Sequence, residues 1–207
     1  MSIKLAIFDF DGTLADSFAL FAESLNELAA RHAFRQISQD ELHLLRGLSA
    51  MQMLHELQIP LWRTPKILAD FSALMHERIN EIQPFSGFCD TLHSMADRQI
   101  VLAVATSNTL PNVKAVLGHE LLKRFAAVEC SASLFGKARR LQQIVHATGM
   151  EKSATLYIGD EIRDAQAARK AGVGFGAVAW GYTDAHALDA LPPAMSFKQP
   201  IDLLDLI

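Results

Sequence analysis

The sequence predicts an α/β fold: a Rossmann-like parallel sheet core with an inserted all-helical lobe of four helices. Three observations predict it. Apolar runs of strand length recur at Leu5–Phe8, Ile100–Ala105, Ala127–Cys130, Thr155–Ile158 and Gly174–Ala179, and from the second run onward helical patterns alternate with them, as in β-α units. Between the first two runs, apolar residues recur only at helical period. Several runs also end in polar residues fit for chemistry, at the strand end where open α/β sheets bind ligands. The expected division is a core of residues 1–16 and 84–207 and an insert of residues 17–83.

A chain of 207 residues, half of them apolar, exceeds a typical domain and falls short of two, which suits one core with a smaller lobe. Its formal net charge of -4 offers no basic face to nucleic acid. Cys89 and Cys130 stand at no metal-ligand spacing and read as buried thiols in a reducing compartment. No apolar run reaches membrane-spanning length, and no leader pattern precedes the first strand. The expectation is a soluble cytoplasmic protein, monomer or homodimer, with no nucleic-acid or membrane partner.

The first run ends in Asp9-Phe10-Asp11-Gly12-Thr13-Leu14. Gly12 lets the chain leave the strand at an angle that a side chain would resist. Strand alternation aims the Asp9 and Asp11 carboxylates to one side, where they repel unless a cation or a proton intervenes. A divalent metal is the obvious partner. A calcium-binding EF-hand is the competing reading of D-x-D-G, but that loop needs glycine at its sixth position, glutamate at its twelfth and a helix in front.

After Ser17 the stripe Phe18, Phe21, Ala22, Leu25, Leu28, Ala29 and His32 predicts an amphipathic helix. Ser38 with Glu41 and Ser49 with Gln52 match capping boxes that open two more, and Thr64-Pro65 puts proline at a first helical position. Ile67, Leu68, Phe71, Leu74, Met75, Ile79 and Ile82 repeat the stripe. Arg46, in Arg46-Gly47-Leu48-Ser49, could present a cation to an anionic substrate, or could be a solvated arginine at a helix end. His32, His43, His55 and His76 read as packing or surface residues.

Pro84-Phe85-Ser86-Gly87 breaks the last of these helices, and Phe88, Leu92 and Met95 suggest the next. The strand Ile100–Ala105 ends in Thr106-Ser107-Asn108 before Pro111 opens a helix, so hydroxyl and amide donors lie at a second strand end. Lys137, in a basic cluster with Arg139 and Arg140, would by itself be a surface charge. Thr155–Ile158 ends in Gly159-Asp160-Glu161-Ile162-Arg163-Asp164, where Asp160 and Asp164, four apart, share a helix face and can point to one ion. A last strand is expected at Met195–Phe197, and nothing after Gly174 looks catalytic.

In order, Asp9-Phe10-Asp11-Gly12-Thr13-Leu14-x-Asp16-Ser17, then Ser107, then Lys137, then Gly159-Asp160-x-x-x-Asp164 resemble the four motifs of the haloacid dehalogenase-like superfamily. The likeness is to its phosphatase branch, in particular the phosphoglycolate phosphatase-like group with a small helical cap, and runs over nearly the whole chain. The resemblance implies that Asp9 attacks phosphorus, and that Asp11 protonates the leaving oxygen and then activates water. It implies that Ser107, with Thr106 as rival, holds a phosphoryl oxygen, and that Lys137 offsets the charge of nucleophile and substrate, although Ala138 stands where the family usually has proline. Asp9, the Asp11 carbonyl, Asp160 and Asp164 would hold Mg²⁺, with Glu161 close by; hard oxygen ligands and the absence of His or Cys suit magnesium rather than zinc. Thr13, Thr106, Asn108 and Arg46 are the substrate-binding candidates, and insert residues 17–83 would be the cap.

The implied function is a Mg²⁺-dependent phosphatase that hydrolyses a small phosphorylated metabolite, phosphoglycolate or alternatively a sugar phosphate, nucleotide or pyrophosphate. A phosphosugar mutase fits less well, because Ala50 stands where such relatives carry arginine. A catalytically idle binding module would not require the acidic and basic residues above.

Overall fold

The computed structural model of the chain describes residues 2–41, 48, 50–130, 136–183 and 195–206. Six parallel strands form one sheet: β1 (Leu5–Phe8), β4 (Val101–Thr106), β5 (Phe125–Cys130), β6 (Thr155–Gly159), β7 (Gly174–Val178) and β8 (Met195–Phe197). Their spatial order is β5-β4-β1-β6-β7-β8. β1 pairs with β4 on one side and β6 on the other, so that Phe8 lies beside both Val104 and Ile158. A strand flanked on both edges and covered on both faces has no wet side. That is why Leu5, Ala6, Ile7 and Phe8 are all buried.

Pleating divides these side chains between two cores. Ala6, Phe8, Leu102, Val104, Leu156 and Ile158 face α4 (Phe88–Asp97) and α5 (Leu110–Leu122), through Phe88, Leu92, Met95 and Val113. Leu5, Ile7, Ala103, Ala105 and Tyr157 face α6 (Lys137–Thr148) and α7 (Ile162–Ala171), through Leu141, Ile144, Ala168 and Ala171. The sheet is thus doubly wound. From β1 the chain runs to β4 on one side and later to β6 on the other, so a crevice opens beyond the carboxyl ends of β1, β4 and β6.

The helical insert leaves and rejoins the core through a ribbon that the sequence reading did not anticipate. β2 (Ala15–Asp16) and β3 (Gln83–Pro84) pair antiparallel. Pro84, expected only to break a helix, sits in this short edge ribbon, where a residue without an N–H is tolerated. Between the two strands lie α1 (Phe18–His32), α2 (Ala50–Glu56) and α3 (Thr64–Glu77). Leu25, Ile37, Leu57, Ile59 and Ile67 give them a small core of their own. Leu20, Met75, Ile79 and Ile82 join the larger core.

The expected helix opening at Ser38 begins as a 3-10 turn, Gln39–Glu41, with the Ser38 hydroxyl and N–H both on Glu41 Oε2, at 3.0 and 3.1 Å. Its continuation, Ser49 and Arg46 lie outside the described residues.

Candidate active site

β1 ends at Phe8, and its register hydrogen bond extends one residue further, from Asp9 N–H to the Ile158 carbonyl at 2.9 Å. The chain then turns at once, with the N–H groups of Leu14 and Ala15 returning to the Phe10 carbonyl. Gly12 takes φ +74° there, and a Cβ on it would run into the Asp160 carboxylate. Two demands, a left-handed turn and a close approach, therefore fall on this one glycine.

The turn, rather than strand alternation, places the two aspartates. Asp9 points into the buried centre, whereas Asp11 lies beyond the strand, in an isolated bridge to Ala15. Asp11 Oδ1 accepts the Ser17 hydroxyl at 3.1 Å, and Oδ2 accepts Asn108 Nδ2 at 2.9 Å. The expectation that both carboxylates share one cation through the pleat is corrected. Any hold of Asp11 on such an ion would be through its main-chain oxygen.

Lys137 opens α6 behind Gly136, whose φ is +90°. The surface reading of this lysine is overturned: Lys137 is 6% exposed, and its Nζ reaches Asp9 Oδ2 at 2.7 Å and Asp164 Oδ1 at 2.5 Å. Burial opposes the Lys137 charge, but Asp164 and Asp9 outweigh it and hold the ammonium up at about 12. Burial drives Asp9 up to about 7, against the pull of Lys137 and with the push of Asp164. Burial also raises Asp11, while Asn108 and Ser17 oppose it.

Asp160 follows β6 and precedes α7, so it does not share a helical face with Asp164. Glu161 is the N-cap, and Asp164 Oδ2 accepts the Glu161 N–H at 3.1 Å in a capping box. The strand-to-helix turn nonetheless brings Asp160 to Asp9 and Asp164. One carboxylate oxygen from each lies within 4.8 Å of the others, and all three residues are buried. Thr13 Oγ1 and the Tyr182 N–H donate to Asp160 at 2.8 and 2.7 Å. Burial, then Glu161, Asp164 and Asp9, push Asp160 well above the usual carboxylate range. Three buried acids with a single lysine among them form a cluster that a small hard cation would relieve. The all-oxygen donor set fits Mg²⁺.

The other candidates are placed less uniformly. Thr106 is fully buried, and its hydroxyl accepts the Asn108 N–H at 2.9 Å. Ser107 is half-buried, with no side-chain hydrogen bond to any described residue. The side chains of Thr13 and Asn108 are committed to Asp160 and Asp11 rather than turned outward. Four further residues join the site unannounced. Tyr157 donates to Asp164 at 3.2 Å, and Arg163 pairs with Glu161 at 2.7 Å. Trp180 Nε1 holds the Thr13 carbonyl at 3.0 Å, and the Tyr182 hydroxyl meets Ser17 Oγ at 2.7 Å. Nothing after Gly174 reads as catalytic in the sequence, yet Trp180-Gly181-Tyr182, which follows β7, supports Thr13, Asp160 and Ser17, and the strand-end rule applied to that run would have found it.

A sequence profile of the haloacid dehalogenase-like hydrolase family matches residues 6–178. The chain belongs to this family. Similar proteins include the phosphoglycolate phosphatase of Synechococcus elongatus, 31% identical over 99% of this chain and 97% of its own. The phosphoglycolate phosphatase of Agrobacterium fabrum is 32% identical over 91% of this chain and 85% of its own. In fold, a haloacid dehalogenase-like hydrolase from Streptococcus pneumoniae superposes with a TM-score of 0.84 at 19% identity, covering 98% of this chain and 97% of that one. The family assignment and the acidic cluster agree in position, since residues 6–178 contain Asp9, Asp11, Ser107, Lys137, Asp160 and Asp164. Among the described residues no helix is long and apolar enough to cross a membrane.

Proposed function

We propose that this hydrolase is a phosphatase that cleaves a small phosphomonoester of the phosphoglycolate kind through an aspartyl-phosphate on Asp9. The observation that carries the reading is the buried Lys137 bridge between Asp9 and Asp164, beside Asp160. It holds one carboxylate at the rim of the sheet while offsetting its charge. A merely structural protein has no use for so costly a cluster, because unpaired buried charge is strongly unfavourable. The names of the Synechococcus and Agrobacterium relatives support the substrate class.

In the first step an Asp9 carboxylate oxygen attacks phosphorus, the P–O bond to the leaving group breaks, and Asp11 gives its proton to the departing oxygen. Burial, which raises Asp11, suits an acid that must arrive protonated. In the second step Asp11 takes a proton from water as that water attacks phosphorus, releasing inorganic phosphate and restoring Asp9. Lys137 offsets charge on Asp9 and on the phosphoryl oxygens, and Ser107, whose hydroxyl bonds no other described residue, donates to one of them. Asp9, Asp160 and Asp164, with the Asp11 carbonyl, would hold Mg²⁺, which supplies positive charge that keeps the nucleophile ionised and polarises the phosphoryl group.

In this reading residues 17–83 act as a cap that excludes water over a core of residues 1–16 and 84–207, with the β2-β3 ribbon at the crossing point. Hydrolysis of para-nitrophenyl phosphate and 2-phosphoglycolate, with and without Mg²⁺, tests the proposal. Mg²⁺-dependent release of phosphate that Asp9→Asn abolishes is the expected result. Turnover by Asp9→Asn at more than a few per cent of wild type would overturn it.

A further inference from the structure

Asp11 is held on both sides, and the hold on Oδ2 continues away from the site. Asn108 Nδ2 donates to Asp11 Oδ2 at 2.9 Å, and Asn108 Oδ1 accepts the Thr109 N–H at 2.7 Å and Asn112 Nδ2 at 2.8 Å. Asn112, in the first turn of α5, is 2% exposed. Its remaining amide oxygen, Oδ1, faces His76 Nδ1 at 2.5 Å. His76 lies in the last turn of α3, on the insert, and is exposed.

The donors in this chain can run only one way. The Thr109 backbone N–H can only donate, so it fixes Asn108 Oδ1 toward itself and Nδ2 toward Asp11 whichever proton state Asp11 holds. Asn108 must turn Nδ2 to Asp11 and Oδ1 to its neighbours, so Asn112 must turn Nδ2 to Asn108 and Oδ1 to His76. His76 Nδ1 must then carry a hydrogen. A buried amide with both ends used in sequence does not cap a helix; its polar atoms are spent on orienting another side chain.

We propose that Asn112 and His76 are positioning residues for Asp11: His76 fixes the Asn112 amide, which fixes Asn108, which aims the Asp11 carboxylate, so that the seating of the insert on the core sets the aim of the acid. The proposal rests on the acid role given to Asp11 above. It assigns to His76, which the sequence reads as a packing or surface residue, a part in the reaction that requires no contact with substrate.

The test uses kcat/KM, which reports steps up to phosphoryl transfer, for 2-phosphoglycolate and for para-nitrophenyl phosphate, whose leaving group needs no proton. His76→Leu removes the donor, and His76→Asn replaces Nδ1–H with an amide N–H at a similar reach. The expected result is a loss of about three- to tenfold for 2-phosphoglycolate with His76→Leu, the worth of one hydrogen bond, with para-nitrophenyl phosphate changed less than about twofold. His76→Asn should restore the loss. Equal losses on both substrates, or identical behaviour of the two variants, would overturn the proposal.

A second measurement separates it from the acid role. In protein labelled with ¹⁵N-asparagine, the Asn108 side-chain NH₂ resonances should move in His76→Leu and return in His76→Asn. No movement overturns the relay whatever Asp11 does. A uniform loss on both substrates in Asp11→Asn overturns the acid role, even where the resonances move as expected.

Discussion

Asp9 and Lys137 are separated by 128 positions in the chain and by 2.7 Å in space, Nζ to Oδ2. Neither is at home where it stands. Burial drives the carboxyl up to about 7, and the ammonium survives burial only because Asp164 and Asp9 surround it. A pair in this position tends to be retained for what it does rather than for stability, since buried ion pairs recover little more than their desolvation cost.

Lys137→Met should therefore act on rate more than on fold. Removing a preorganised charge beside a transferring group typically costs about 10²- to 10³-fold in kcat. Asp9, already raised by burial, would then take up a proton, which limits the structural damage. Lys137→Arg should not rescue, because a planar fork does not replace a compact ammonium between two carboxylates. Steady-state kinetics with para-nitrophenyl phosphate, alongside urea unfolding, decides this; recovery of more than about a tenth of the activity in Lys137→Arg would show that only net charge matters.

The close packing of Gly181 gives a different prediction. A Cβ there would collide with the Asp160 side chain and stand 2.6 Å from the Gly12 carbonyl oxygen. Neither neighbour can move freely, because Asp160 is pinned by Thr13 and by the Tyr182 N–H. Gly181→Ala should cost about 1–3 kcal/mol through overpacking. It should also weaken Mg²⁺ activation by about 10- to 100-fold, the usual effect of displacing a ligand's support. Thermal unfolding and a Mg²⁺ titration of activity measure both effects, and an unchanged Mg²⁺ requirement would mean Asp160 is not a ligand.

Tyr182 offers a milder test of the same shell. Its hydroxyl joins Ser17, which holds Asp11 Oδ1, and its ring meets Phe18 and Phe21 at centroid distances of 5.3 and 5.4 Å. Tyr182→Phe keeps the aromatic contacts and removes one hydrogen bond. A fall in kcat of about three- to tenfold at unchanged thermal stability is expected. A drop in melting temperature without a change in kcat would assign the hydroxyl to packing.

Much of this site is legible in the chain because the fold writes it there. Asp9, Ser107 and Asp160 each follow an apolar run of strand length, so position alone marks them as rim residues. Lys137 is not legible from its own neighbourhood: Arg139 and Arg140 make it look solvated, and only the packing of α6 against β4 and β5 buries it. Thr13, Thr106 and Asn108 were legible as polar residues at strand ends, but not the direction each side chain takes, which depends on partners as distant as Asp160, 147 positions from Thr13. Asn112 and His76 carry no local signal at all. Their hydrogen bond joins two helices 36 positions apart and exists only because the insert folds back onto α5.

The last prediction follows from the carboxyls together. In the metal-free protein Asp9 is raised from 3.8 to about 7, and Asp11 and Asp160 are raised also, each chiefly by burial. A carboxyl whose folded pKa lies above its unfolded value binds its proton more tightly in the folded state. Between the two values the unfolded chain holds fewer protons than the native one, so the stability contributed is full below the unfolded pKa and lost as pH rises through the folded pKa. In EDTA the melting temperature should therefore fall as pH rises from about 4 to about 7, and for Asp9 the fall should end near there. Mg²⁺ should reverse the trend, because the cation favours the ionised carboxylates, and its binding should release protons below about pH 7. Scanning calorimetry with and without Mg²⁺, and titration calorimetry in buffers of different ionisation enthalpy, measure the two effects. Asp9→Asn should flatten the EDTA slope, since an amide has no proton to lose. A metal-free melting temperature that holds level or climbs over this range, with a slope indifferent to Asp9→Asn, would mean that Lys137 and Arg163 already keep the cluster ionised without a divalent cation.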